Sequence, residues 1–115
     1  MPRKPQILFV SHRPFQLHDS VLAAQGFKVV SVDSLDQAKK QWAPGKFRLI
    51  LVEPNGNYEE ALHFCSESKK IDPQMRFAFI HPQGTYVPTD SCPDDIITLK
   101  FDPAQFVRQV SALVA

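Results

Sequence analysis

Five side chains stand where chemistry is possible: Ser11, His12, Glu53, His81 and Lys100. Each follows a mostly apolar run, 7–10, 49–52, 77–80 or 96–99. Three kinds of chemistry are open to them. Glu53 and Lys100 would form a charge-assisted hydrogen bond in a partly dry crevice. His12, Glu53 and His81 make a two-histidine, one-carboxylate donor set, which suits a transition metal. The plainer reading has His12 hydrogen-bonding at a strand end and His81 simply preceding the turn at Pro82. Ser11 beside His12 raises nucleophilic catalysis. Neighbours on a strand point to opposite faces, however, and no third orienting group is evident, so no catalytic residue is assigned.

The elements that must position these groups are read from proline to proline. Ten of the 115 residues are proline, above the average of roughly 5%, and only four are glycine. Most of the prolines fall at segment junctions. The runs 7–10, 49–52 and 77–80 are continuously apolar, as strands buried on both faces must be. Segment 27–32 is rich in β-branched residues and reads as a further strand, and 96–99 as another. After Pro14, the residues Leu17, Val21, Leu22 and Ala24 give one apolar helical face, which Gly26 stops. Ser34 with Gln37 opens a capping box, and Leu35, Ala38 and Trp42 face a core. Asn57 with Glu60 starts a third helix carrying Tyr58, Leu62, Cys65 and Lys69. Asp102-Pro103 with Gln105 starts the last, whose stripe is Phe106, Val107, Val110, Leu113 and Val114.

Strands alternating with helices imply an α/β fold, a parallel sheet with helices on both faces. In such a sheet ligands bind outside the carboxyl ends of the strands, where all five candidate residues converge. Segment 83–94 breaks the rhythm. Pro88 and Pro93 disfavour a full helix there and predict an irregular loop or a short turn.

Length sets one domain over 1–115. Net charge is +1, from 13 Lys and Arg against 12 Asp and Glu, which leaves no electrostatic footprint for nucleic acid or an anionic membrane. The longest apolar runs are far too short for a signal peptide or a membrane span. A cytoplasmic protein is expected, and Cys65 and Cys92 read as two unrelated free thiols. Lys69-Lys70 complements a helix C-terminus. Trp42 and Tyr58 read as core or rim aromatics.

On the residues at the strand ends the chain resembles a response-regulator receiver domain, the phosphoacceptor module of two-component signalling. The likeness spans roughly residues 6–115 and lies in the order and spacing of the apolar segments. The resemblance implies a flavodoxin-like three-layer sandwich with strand order 2-1-3-4-5, from which Pro88 and Pro93 depart by leaving the family's fourth helix short or missing. It also implies what is absent. Ser11-His12 stands where the family has the acidic pair that holds Mg²⁺, a hard cation that prefers oxygen anions. Glu53 stands at the phosphorylated Asp, with one methylene more. His81 replaces a Ser or Thr, and Ile97 an aromatic residue. Lys100 is retained. Without Mg²⁺ to neutralise developing charge, phosphoryl transfer loses its main support.

The expectation is therefore a non-enzymatic pseudo-receiver. It would act by protein–protein contact, independently of phosphorylation, Mg²⁺ or any cofactor. Unless the chain is part of a larger protein, no output domain follows Val114-Ala115, and its partner is expected to be a separate signalling protein or a second copy. Glu53 reads either as a built-in mimic of the phosphorylated state or as a remnant acid that solubilises the sheet end. The competing expectation is a flavodoxin-like domain that binds a small ligand or a transition metal in the same crevice.

Overall fold

Residues 7–10, 49–52 and 77–80 are almost wholly inaccessible to solvent, and strands apolar on both sides are stable only when both sides are covered. The computed structural model, which describes residues 6–11, 16–54, 58–82, 92–99 and 103–114, shows how this is done. Its strands are β1 (Gln6–Val10), β2 (Lys28–Val32), β3 (Leu49–Val52), β4 (Arg76–Pro82) and β5 (Asp95–Leu99). They form one parallel sheet in the order β2-β1-β3-β4-β5. The helices among the described residues are α1 (Gln16–Ala24), α2 (Leu35–Gln41), α3 (Tyr58–Ile71) and α4 (Pro103–Val114).

Strand alternation divides the core in two. Leu8, Val10, Ile50, Val52, Phe77 and Phe79 pack with Ala38 of α2 and Ala61, Phe64 and Cys65 of α3. Ile7, Phe9, Leu49, Leu51, Ala78, Ile80 and Ile97 pack with Leu22 of α1 and Phe106, Val110 and Val114 of α4. The α/β sandwich expected from the alternation is thus the one observed. The edge strand β2 is only half-buried.

Local signals act largely as read. Gly26 adopts φ 95°, and Phe27 N–H donates to Leu22 O while Gly26 N–H donates to Ala23 O. This Schellman pair satisfies the last carbonyls of α1. Ser34 caps α2, accepting from Gln37 N–H at 3.2 Å. The Gln37 side chain reaches Asp33 N–H at 3.5 Å, one residue before the position a capping box prescribes. Trp42 ends α2, and its indole Nε1 donates to Met75 Sδ at 3.3 Å. It packs half-buried against the core, as does Tyr58.

Helix faces differ in detail from expectation. Ala24 is exposed, and α1 is anchored by Leu22. The buried stripe of α3 is Ala61, Phe64, Cys65 and Ser68. Phe64 and Ser68 join it because Phe64 meets Phe77 edge-on at 5.9 Å and the Ser68 hydroxyl donates to the Phe64 carbonyl at 2.7 Å. Asn57, Asp102 and 83–91 lie outside the described residues. Within the expected loop 83–94, residues 92–94 are a non-helical bend into β5.

Asp94 fastens that bend. Its carboxylate accepts from Lys69 Nζ of α3 at 2.8 Å and from Phe77 N–H of β4 at 2.8 Å, with Arg76 3.5 Å away. Lys69 thus does more than complement a helix end: it bonds a residue 25 positions on. Burial pushes the Asp94 pKa up. The bonds from Lys69 and Phe77 and the charges of Lys69 and Arg76 outweigh it and hold the carboxyl below its ordinary 3.8.

A carboxyl depressed by folding stabilises above its unfolded pKa, and that contribution fades as pH falls through the folded value. Asp94→Asn should therefore cost about 1–2 kcal/mol near neutrality. The difference from the parent in urea midpoint should shrink steadily below about pH 4 as the parent carboxyl protonates too. Phe77→Ala removes a side chain 0% exposed that contacts both Phe64 and Phe79 edge-on. It should cost about 3–5 kcal/mol in urea denaturation, enough to leave a domain of ordinary stability near unfolding.

Candidate functional site

The carboxyl ends of β1, β3 and β4 form a graded step. Val10, Val52 and Phe79 are in register, so Ser11, Glu53 and Ile80 come level just beyond them. The backbone ladder continues one bond further than the strands: Ser11 N–H donates to Val32 O at 3.0 Å and Glu53 N–H to Val10 O at 2.9 Å. Both residues are therefore set by sheet geometry. Both are buried, Glu53 at 8% exposure and Ser11 at 7%. The chain reverses its direction of travel across the sheet here, since β2 and β3 flank β1 on opposite sides. This makes the β1/β3 carboxyl edge the switch-point crevice of the fold.

Alternation decides which groups face one another. Ile7 and Phe9 of β1 and Leu49 and Leu51 of β3 lie on the α1/α4 side. Two residues further, Ser11 and Glu53 continue on that side. Phe77 and Phe79 lie on the α2/α3 side, and His81, inside β4 opposite Thr98, continues there. The sheet thus brings Ser11 and Glu53 together but sends His81 to the other face. His12 and Lys100 lie outside the described residues. Among the described residues no three His, Cys, Asp or Glu side chains stand close enough to hold a metal ion.

A buried carboxylate is the chemically significant feature of this edge. Removing an ionised carboxylate from water costs several kcal/mol unless a cation or hydrogen-bond donors replace the lost hydration, on the order of the effective penalty for buried ions. An acid buried here is suited to a cationic side chain or hydrogen-bond donors and unsuited to a purely apolar cover.

Two further features escaped the sequence reading. One is a cleft of about 300 Å³ between α2 and α3, lined by Lys39, Trp42, His63, Phe64, Glu67, Ser68 and Ile71. It lies toward the amino ends of the strands, away from Glu53. The other is the Cys65–Cys92 pair. The two thiols, expected to be unrelated, bring their sulfurs to 2.7 Å. No local signal announces the pair, because the contact depends on how β5 docks beside β4.

No protein-family model matches the chain, and no curated protein sequence is similar to it. Solved structures do match. A response regulator from Thermotoga maritima is 19% identical, with a TM-score of 0.82 over 96% of this chain and 98% of that one. A chain from the complex of histidine kinase ThkA with response regulator protein TrrA is 16% identical, with a TM-score of 0.79 over 96% and 99%. An orphan response regulator of H. pylori is 16% identical, with a TM-score of 0.78 over the whole of both chains. At such identities the likeness speaks for architecture: this chain has the fold of response-regulator receiver domains.

Proposed function

We propose that the chain is a non-enzymatic, receiver-like signalling module that works through protein–protein contact, without phosphorylation and without Mg²⁺. The observation that carries this reading is the buried Glu53 at the end of β3, level with Ser11 rather than with a second acid. A receiver that accepts a phosphoryl group needs Mg²⁺ to neutralise charge on the transferring oxygens, and Mg²⁺ binds through carboxylates. Ser11 offers a hydroxyl, and His12 an imidazole, where such carboxylates would have to stand. Glu53 is a carboxylic acid one methylene longer than Asp, and on this reading it supplies in place the negative charge that a phosphoryl group would bring. Lys100 is its proposed counter-charge, through a charge-assisted hydrogen bond.

On this reading 1–115 is a single cytoplasmic domain, and no helix among its described residues is long and apolar enough to cross a membrane. Its partner is a signalling protein, for which the histidine kinase seated with TrrA in one similar structure is the type, or a second copy of the chain.

Incubation with acetyl phosphate and Mg²⁺ should leave the intact mass unchanged, and beryllofluoride with Mg²⁺ should not shift the amide spectrum. Stoichiometric modification at Glu53 overturns the reading. Glu53→Gln replaces the carboxyl with a neutral amide of nearly the same size at a buried position. It should lower stability by about 1–3 kcal/mol and weaken capture of the partner in a pull-down. If neither changes, the carboxylate is a remnant and not a mimic.

A further inference from the structure

Cys65 and Cys92 come from positions 27 apart, yet their sulfurs lie 2.7 Å from one another. Cys65 is buried in α3, against the α2/α3 side of the sheet. Cys92 is half-buried in the bend before β5, packed against the same cluster. Both are held from outside the pair. Asp94, two residues after Cys92, is bonded to Lys69, one helical turn after Cys65, and to the backbone of Phe77 in both directions. Pro93 between them is buried. The approach of the two sulfurs therefore follows from how α3 and the bend before β5 dock, and a bond requires them to close by roughly 0.7 Å more.

We propose that Cys65 and Cys92 form a reversible, redox-sensitive crosslink between α3 and the lead-in to β5, closed by a hydroperoxide and opened by a dithiol. The two thiols have different parts. Cys92 is the one solvent reaches, so its thiolate attacks the hydroperoxide. The O–O bond breaks, Cys92 becomes a sulfenic acid, and the departing alkoxide takes up the proton that the Cys92 thiol released and leaves as an alcohol (water, for hydrogen peroxide). The Cys65 sulfur then attacks Cys92 Sγ. The S–O bond breaks, and the departing hydroxide takes the Cys65 proton and leaves as water. Two thiols are oxidised by two electrons and one peroxide is reduced. Burial, followed by the hydrogen bond and charge of Cys92, pushes the Cys65 thiol above its ordinary 9.0. Cys65 thus stays protonated and unreactive toward outside oxidants until Cys92 is sulfenylated beside it.

The crosslink would pin the end of the β4–β5 connection onto α3. The pair lies at the amino edge of the sheet, beside the start of β4, while Glu53 lies at the carboxyl edge. The crosslink therefore operates independently of the carboxyl at Glu53.

The test treats the full chain with hydrogen peroxide, blocks remaining thiols with N-ethylmaleimide and reads intact mass and a non-reducing peptide map. The expected result is the loss of two hydrogen atoms, no maleimide added and a linked Cys65–Cys92 peptide. Dithiothreitol should reverse it. The melting temperature should rise by on the order of 10 °C, because the crosslink closes a long loop in the unfolded chain. Two free thiols after peroxide, a crosslink between two copies, or Cys92 carried on to sulfinic acid beside a free Cys65 would overturn the proposal. Cys92→Ser, a change at the half-buried partner that spares the core, should leave Cys65 a free thiol under the same treatment. Oxidation of Cys65 in that variant at the parent rate overturns the role given to Cys92.

Discussion

The double burial of β1, β3 and β4 is the constraint on which everything else in this molecule rests. Ile7, Leu8, Leu49, Ile50, Leu51, Val52, Phe77, Ala78 and Ile80 are fully inaccessible, which is possible only with cover on both sides of the sheet. Parallel strands cannot be joined by tight turns, so the connections that carry α1, α2 and α3 cross a face and become its cover, which α4 completes after β5. Hence α2 and α3 close one face and α1 and α4 the other. The three-strand core then confines β2 and β5 to the edges, where half-burial suffices.

The same constraint creates the candidate site. A chain that lays β2 on one side of β1 and β3 on the other leaves the carboxyl ends of β1 and β3 side by side. Ser11 and Glu53 occupy that gap because each is the first residue after a buried strand and is still held by a ladder hydrogen bond. A carboxylate in such a position is costly as a free ion and useful as a fixed charge. That burial sets Glu53 apart from the exposed acids Glu59, Glu60 and Glu67 of α3.

At the opposite edge, polar contacts do what packing leaves undone. Asp94 joins α3, β4 and the entry to β5 through Lys69, Arg76 and Phe77. Arg48 bridges β1 and β4 through its backbone, and its side chain donates to the Val114 carbonyl at the end of α4. These bonds fix the outer elements to the core at one end of the sheet. They hold Cys92 against α3, whereas the carboxyl end carries the crevice.

The element types and the sheet's burial were legible in the sequence, because they depend on local pattern. Continuous apolar runs at 7–10, 49–52 and 77–80, Ser34 before an amphipathic stretch and Gly26 after one act over a few residues. Glu53 could be singled out for the same reason: it is the first charge after a buried run. What only the tertiary structure decided is which of the flagged residues meet. Register and alternation put Ser11 beside Glu53 and turned His81 to the other face, since a side chain's face is set by a strand's alignment with its neighbours. Lys69 with Asp94 and Cys65 with Cys92 are likewise contacts between elements far apart in the chain. No spacing in the sequence encodes them, because they exist only once α3 covers its face of the sheet and β5 has paired with β4.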